Sequence, residues 1–463
     1  MADTRDSDVV TALREALRGP VIAAGDPGYD EASAVYNAMI DKRPTAIAQC
    51  ANVADVMAAV RVCHQAGSTV SVRGGGHNAG GLGVADGAVC IDLAHLDGIH
   101  IDPAAGTVRA EGGATLGDVD HATHAFGLAV PAGIISTTGV GGLTLGGGIG
   151  YLTRKAGLTI DNLLAADVVL ADGTLVTCDA TRHPDLFWAL RGGGGNFGIV
   201  TSFLFRAAQV KNVFAGPVLY DLDDTPELLR WYREVLPGLP EDLNGFFAVL
   251  TVPPGPPFPE ELHLRKVAGV VWCYSGPAER AEEVLAPVRS FGKPIMDGIM
   301  EMPFPMWNSA FDALYPPGYQ WYWRSDSFDQ ITDDAIEAHH KFGTQLPSMF
   351  STMHLYSIDG AAHRVAAADT AFGPREAIWS CVIVGVDPEP AKAVDIKDWA
   401  IGYWDALHPS SIGGAYVNFM MEEGADRVRA SYGANYDRLA KIKAVYDPDN
   451  FFHVNQNIKP AGG

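Results

Sequence analysis

A single histidine stands inside a run of glycines, Ser71-Val72-Arg73-Gly74-Gly75-Gly76-His77-Asn78-Ala79-Gly80-Gly81. Glycine there admits φ > 0 and lets a ligand approach without meeting a Cβ. Successive backbone N–H groups in such a turn form a nest for an anion. Arg73 sets a positive charge beside them. The chemistry these residue types offer is capture of a bulky anionic cofactor with an imidazole against it. A lone loop histidine is more often merely solvated, so the rest of the chain has to carry the assignment.

Two more glycine clusters follow. Eight of the eighteen residues from Gly133 to Gly150 are glycine. A packed helix or strand tolerates that poorly, so the stretch reads as a second loop wrapped around the same ligand. The third cluster is Gly192-Gly-Gly-Gly195-Asn196-Phe197-Gly198. Gly193 to Gly198 matches G-x-G-x-x-G in form, but it precedes a β-type run, Ile199–Phe205, instead of opening a helix. That excludes a Rossmann dinucleotide site. No Walker Lys-Ser/Thr follows any of the clusters.

The elements that must position these loops can be read coarsely. Residues 1–20 hold a short helix ending at Gly19-Pro20. Val53, Val56, Val60 and Cys63 share one helical face. A β-type run, Thr69 to Val72, feeds His77. Strands are expected over 88–93 and 106–110, a helix over 116–125, and a hairpin over 167–177 with its turn at Gly173. A short helix opens at His183-Pro184. From about 206 the glycine clusters stop, and aromatics and prolines appear. Strands are expected over 267–274, 319–325, 351–356 and 378–386, and helices over 278–285 and 333–342. One amphipathic helix is expected from Ala425 to Tyr446, stopped by Asp447-Pro448.

The chain has 463 residues, 48% of them hydrophobic, and a net charge of −22. Such acidity repels a phosphate backbone, which argues against nucleic acid as a partner. No apolar run reaches 18 residues and the N-terminus is polar, so no membrane partner is expected and a cytoplasmic protein is. Cys50, Cys63, Cys90, Cys178, Cys273 and Cys381 share no metal-ligand spacing, so buried free thiols and no metal site are expected.

Four motifs in this order resemble the FAD-linked oxidases of the vanillyl-alcohol oxidase (PCMH-type) superfamily, berberine bridge enzyme-like group. They are Val72-Arg-Gly-Gly-Gly-His-Asn78, Gly139-Val-Gly-Gly142 with Gly146-Gly-Gly148, Leu190-Arg-Gly-Gly-Gly-Gly-Asn-Phe-Gly198, and Tyr446-Asp-Pro-Asp-Asn450. The likeness is strong over roughly 20–210 and 413–458. It implies an α+β fold: an FAD domain in two parts, 1–205 and 413–463, with an inserted substrate domain, 206–412, that contains an antiparallel sheet. It implies FAD bonded at its 8α carbon to His77, because a neutral imidazole is a good nucleophile. Many members add a second bond through a cysteine before Gly-Val-Gly-Gly. Ile135 stands at that place here, so the resemblance points to the bacterial mono-covalent subgroup. The cofactor shell it implies is Arg73, Gly74, Gly75, Gly76, His77, Asn78, Gly81, Gly133, Thr137, Thr138, Gly139, Gly141, Gly142, Gly147, Gly148, Gly150, Asn162, Gly198, Ile199, Val200, Tyr416, Asn418 and Asn455.

In similar proteins the Tyr416-Val-Asn418 element sits over the flavin, so Tyr416 is a candidate to take a substrate proton, given a lowered pKa. His354, on the strand Thr352–Tyr356, is the second candidate. Its position looks like that of a catalytic carboxylate in one relative. Each has a plain alternative, a hydrogen-bonded core tyrosine and a histidine facing solvent. Tyr319, Trp321 and Trp323 alternate along one strand and so share a face, either as pocket wall or as core. With His354, Trp321 and Trp323 are the expected substrate pocket. The expected activity is oxidation of a small, aromatic or polycyclic alcohol or amine with O2 as electron acceptor, in a monomer or homodimer. An oxidative cyclase or dehydrogenase with little O2 reactivity, and a non-catalytic flavin-binding protein, stay open.

Overall fold

The computed structural model describes residues 4–462, so Met1 to Asp3 lie outside the described residues. Its first sheet is built from β1 (Val21–Ala23), β2 (Ala46–Gln49), β3 (Val70–Arg73) and β4 (Val89–Asp92), in the order β1-β2-β4-β3. β4 pairs in parallel with both β2 and β3. Parallel neighbours need a crossover, and the helix Val53–Ala66 leads from β2 to β3. It starts where the Asn52 side chain accepts the N–H groups of Ala54 and Asp55, and it ends at Gly67 with φ 64°. Val56, Val60 and Cys63 are buried, as their spacing predicts. β3 therefore stops with its carboxyl end opening into Gly74–His77.

The second sheet is antiparallel. It contains β5 (Ile99–Asp102) and β6 (Thr107–Glu111); the short β7 (Leu128–Ala129) lies outside it, and β8 (Leu163–Val169), β9 (Leu175–Asp179) and β10 (Ile199–Arg206) complete it. Its order is β5-β6-β10-β8-β9. The expected hairpin is β8–β9, turning at Gly173 with φ 76°. β7 pairs with β11 (Ala208–Gln209).

The third sheet has eight strands: β12 (Asn212–Asp221), β13 (Leu243–Thr251), β14 (Lys266–Tyr274), β15 (Met296–Asp297), β16 (Met300–Pro303), β17 (Gln320–Phe328), β18 (Thr352–Ser357) and β19 (Trp379–Asp387). They run β15-β12-β14-β13-β18-β19-β17, with β16 also on β12. Register sets its faces. Trp323 pairs with Val384, Val382 with both Ser325 and His354, and Tyr356 with Ser380. Side chains alternate along a strand. Trp321, Trp323, Val384, Val382, His354 and Tyr356 therefore share one face. On the other, Leu355, Cys381 and Ile383 pack on Ile396, Trp399 and Tyr403 of the helix Ala393–Leu407.

Two expectations need correction, and two strands were not foreseen. The Gly133–Gly150 stretch is not all loop, because Val140–Gly146 is a short helix. Its glycines allow contact no side chain would: a Cβ on Gly141 would stand 2.8 Å from the Gly112 carbonyl oxygen. The single helix over 425–446 is two, Ala425–Tyr432 and Tyr436–Tyr446, broken at Gly433 with φ 53°. β12 and β13, central to the third sheet, carry no clean alternation, since Gly216, Pro217 and Gly245 interrupt them.

The last fifty residues pack back on the second sheet. Val428, Tyr432, Leu439 and Ile442 share a core cluster with Trp188, Phe197 and Phe203. Lys443, fully buried, donates to Asp447 (2.7 Å), the Asn196 carbonyl (2.6 Å) and the Phe452 carbonyl (2.7 Å). The Asn196 side chain in turn accepts the Ile458 N–H at 2.9 Å. The third glycine run is thus tied to the chain's end.

Candidate active site

One large cavity runs between the two smaller sheets and the marked face of the third, and offers about 320 Å³ to the centres of water molecules. Two glycine loops meet at its middle. A Cβ on Gly75 would collide with the backbone nitrogen of Gly139, and one on Gly139 with that of Gly75. Only glycine at both places lets the loops touch. That contact brings Thr137 to His77, whose Nε2 lies 2.8 Å from the Thr137 hydroxyl. The Tyr36 ring stacks on the imidazole, with centroids 4.2 Å apart and planes at 25°. Burial pushes the His77 pKa down to about 4, so the ring is neutral and one nitrogen keeps its lone pair.

Gly142 and Gly195 line the cavity, and a Cβ on either would meet nothing within 4 Å. Neither has a left-handed φ. The protein's own packing therefore does not require glycine there. Bare backbone at these two points suits a bound group lying against it, which fits an extended cofactor such as FAD. Arg73 corrects the sequence reading. Its guanidinium pairs with Asp92 at 2.8 Å and with the Ala34 carbonyl at 3.1 Å, so the charge is neutralised within the protein. Anion contacts at this loop are left to backbone N–H groups.

Arg73, Gly74, Gly75, Gly76, His77, Asn78, Gly133, Thr138, Gly139, Gly141, Gly142, Gly198, Ile199, Val200, Tyr416, Asn418 and Asn455 lie on the cavity wall, with Trp323 and His354 at its far end. The others expected there lie off it. Gly81 packs on Ile40, and Gly147 on Phe372 and Tyr416. Gly148 abuts Thr159, and Gly150 the Ala132 carbonyl. The Asn162 amide donates to the carbonyls of Ala156 and Leu158. Thr137 stands behind His77. Trp321 is core: fully buried, covered by Tyr36 and Tyr315.

Tyr416 is also not as the sequence suggested. Its oxygen accepts the Gly148 N–H at 2.8 Å and an Asn418 amide N–H at 2.7 Å. Both favour the phenolate, but burial outweighs them and pushes the pKa up to about 12. With both acceptor positions used, the hydroxyl proton is the free valence. His354 is buried, not solvent-facing. Its Nε2 lies 3.1 Å from the Tyr315 hydroxyl and its Nδ1 2.8 Å from that of Tyr356. Burial pushes its pKa down to about 3. A neutral imidazole has one donor and one acceptor, so one tyrosine hydroxyl donates a hydrogen bond to the ring and the other accepts one from it.

Tyr36, Tyr315, Tyr356, Phe419, Val382, Val384 and Gly195 also line the cavity and were not singled out from sequence. Period two from His354 would have found Tyr356. Tyr36 and Tyr315 sit in irregular segments that carry no period. Arg73 is the one formally charged side chain on the wall. None of the six cysteines lies there, whereas Ile135 does. Among the described residues no cluster of His, Cys, Asp and Glu could hold a metal ion, and no helix is long and apolar enough to cross a membrane.

Comparison with known proteins gives this geometry its context. Residues 44–179 match the FAD binding domain family, and 415–459 the family described as berberine and berberine like. An uncharacterized FAD-linked oxidoreductase of Bacillus subtilis is 31% identical, over 96% of this chain and 97% of that protein. (R)-6-hydroxynicotine oxidase of Paenarthrobacter nicotinovorans is 30% identical, over 96% and 98%. The crystal structure of 6-hydroxy-D-nicotine oxidase from Arthrobacter nicotinovorans superposes with a TM-score of 0.84 at 28% identity, over 96% of this chain and 98% of that one. With likeness in sequence and fold along its whole length, the chain belongs to the FAD-linked oxidoreductases of the berberine bridge enzyme-like group.

Proposed function

We propose that this enzyme is an oxidase with FAD held by one bond from His77. It takes a hydride from the carbon bearing the hydroxyl or amine of a small, uncharged aromatic or polycyclic molecule and reduces O2 to H2O2. One observation carries the reading. A single cavity joins the His77 end to an aromatic end made by Tyr315, Trp323, His354, Tyr356, Tyr416 and Phe419, and Arg73, the charged group on its wall, is already paired with Asp92. A charged substrate there would lose its hydration without gaining a counter-ion, at a cost of several kcal/mol. Ile135 in place of a cysteine supports one bond instead of two.

Bound FAD would supply the hydride acceptor and the route for electrons to O2. The protein handles the proton. Turning an alcohol into a carbonyl removes a hydride from carbon and a proton from oxygen. Tyr416 takes that proton in the small fraction that is ionised, which the Gly148 and Asn418 donors stabilise against the larger cost of burial. His354 stays neutral and acts through the hydroxyls of Tyr315 and Tyr356, which hold the substrate's oxygen or nitrogen.

Acid precipitation, intact mass and a substrate screen test this. The expected result is a yellow pellet, a mass raised by one FAD less two hydrogens, and H2O2 release with uncharged aromatic alcohols or amines. A yellow supernatant would remove the bond at His77. Bleaching by substrate that air does not reverse would make the enzyme a dehydrogenase. A flavin that no such compound bleaches would remove the oxidase reading.

A further inference from the structure

We infer that the Thr352 hydroxyl fixes the direction of every hydrogen bond in the chain Tyr356–His354–Tyr315, so that this end of the cavity presents lone pairs and selects a ligand that brings its own neutral O–H or N–H. The inference rests on the reading above, in which the Tyr315 and Tyr356 hydroxyls hold the ligand, and it names the kind of group they hold.

The direction is set from outside the cavity. Thr352 and His354 stand two apart on β18 and so share a face. Thr352 is buried, and its hydroxyl donates to the Val249 carbonyl of β13 at 2.8 Å. A carbonyl has no hydrogen to give, so the hydrogen of Thr352 is committed there. The Thr352 oxygen is also a polar neighbour of the Tyr315 hydroxyl, as is His354 Nε2 at 3.1 Å. Toward Tyr315, Thr352 can therefore only accept. Tyr315 donates to Thr352, and its oxygen accepts the hydrogen on Nε2. The neutral ring has no second hydrogen, so Nδ1 accepts from the Tyr356 hydroxyl at 2.8 Å.

The opposite order leaves a contact bare. Were Tyr315 to donate to Nε2, the ring would carry its hydrogen on Nδ1 and donate to Tyr356. The oxygens of Tyr315 and Thr352 would then face each other with no hydrogen between them, which costs free energy in a buried place. In the favoured order Tyr356 has spent its hydrogen on the ring and Tyr315 has spent its own on Thr352. Both tyrosines line the cavity, and both offer it lone pairs alone. An O–H or N–H is satisfied there, whereas a carbonyl or ether oxygen meets lone pairs. An alcohol that yields its proton to Tyr416 has no further hydrogen for these tyrosines. The group they select is a second donor on the same molecule, or the other N–H of a primary amine. Thr352 lies off the cavity wall and acts through its neighbours, as a positioning residue.

The test uses purified holoprotein and two readouts that need no turnover. Nitrogen-15 NMR of histidine-labelled protein, with His354 assigned by the signal that His354→Gln removes, is expected to show the hydrogen on Nε2. Phenol, anisole and acetophenone are then titrated while the flavin absorption is followed. Phenol should bind about tenfold more tightly than the other two, the worth of one neutral hydrogen bond. Thr352→Val keeps the shape but frees Tyr315 to donate to Nε2. It should move the hydrogen to Nδ1, turn the Tyr356 O–H toward the cavity, and bring the phenol-to-acetophenone ratio down to about one. Thr352→Ser should keep the wild-type tautomer and ranking. A hydrogen on Nδ1 in wild type, or the wild-type ranking kept by Thr352→Val, would overturn the inference. No flavin response to any of the three compounds would overturn the placing of ligand at these hydroxyls, and the inference with it. Should Thr352→Val fail to fold, the tautomer and the ranking in wild type still decide.

Discussion

Tyr416 combines three constraints that pull in different directions. Two donors point at its oxygen, burial opposes its charge, and its hydroxyl proton is left without a partner on a residue that lines the cavity. Removing only that oxygen, as in Tyr416→Phe, should keep the flavin in place and lower kcat by about a hundredfold or more, the usual loss for a general base. Because the pKa lies near 12, kcat/KM should climb with pH through 9 and 10 without a plateau. His354, neutral above about pH 3, should add no inflection between 5 and 8. Gly142 and Gly195 allow a second check at this scale. Alanine at either place clashes with nothing in the protein, so thermal stability of the flavin-free form should hold, or at Gly142 rise by about 1 kcal/mol. Flavin content should fall. Residue type marked His77 and the glycines, because few other side chains do this chemistry and few other residues leave backbone bare, whereas Tyr416 came into view only through the family resemblance. It misled at Arg73, since a partner 19 residues away, Asp92, had already taken the charge.

Single elements meet at two buried polar junctions whose stability can be measured. The helix Leu116–His124 touches the helix Phe304–Asn308 where Asn308 donates to Asp120 at 2.6 Å. Burial pushes Asp120 up to about 7, against that donor. The folded state thus keeps a proton that the unfolded chain releases near 4, and stability falls as pH rises from about 4 to 7. Asp120→Asn has no such proton. Its melting temperature should match wild type below pH 4 and exceed it above pH 7; an equal difference at both would argue against the shift. At the other junction, Lys443→Met would leave Asp447 buried and unpaired, and should cost about 3–5 kcal/mol in denaturant unfolding. Elements were legible where one face alone is buried, as in the helix Val53–Ala66. They were not in β12 and β13, where Gly216, Pro217 and Gly245 interrupt the apolar pattern. The split at Gly433 hid for another reason: the apolar spacing continues across it.

The whole molecule is one cavity closed by distant parts of the chain. Tyr36 and His77 come from its beginning, His354 and Val382 from its middle, Tyr416 and Asn455 from its end. The order of the motifs gave this architecture away, but no spacing rule could place Tyr315 against His354, since Tyr315 reaches that strand from an irregular segment ahead of β17. Ending the chain after 412 should yield protein that retains no FAD and aggregates, because it uncovers Phe197, Trp188 and Phe203; soluble yield and intact mass would report both. The tie between Lys443, Asn196 and Ile458 has a consequence in time as well as in space. Asn455 leaves the ribosome roughly 380 residues after His77, some 20 to 75 seconds later at ordinary elongation rates. Until then the glycine loops wait with one wall missing. The flavin can be enclosed only once Asn455 and its neighbours have been made, so supply of the cofactor and late translation are coupled by the fold itself.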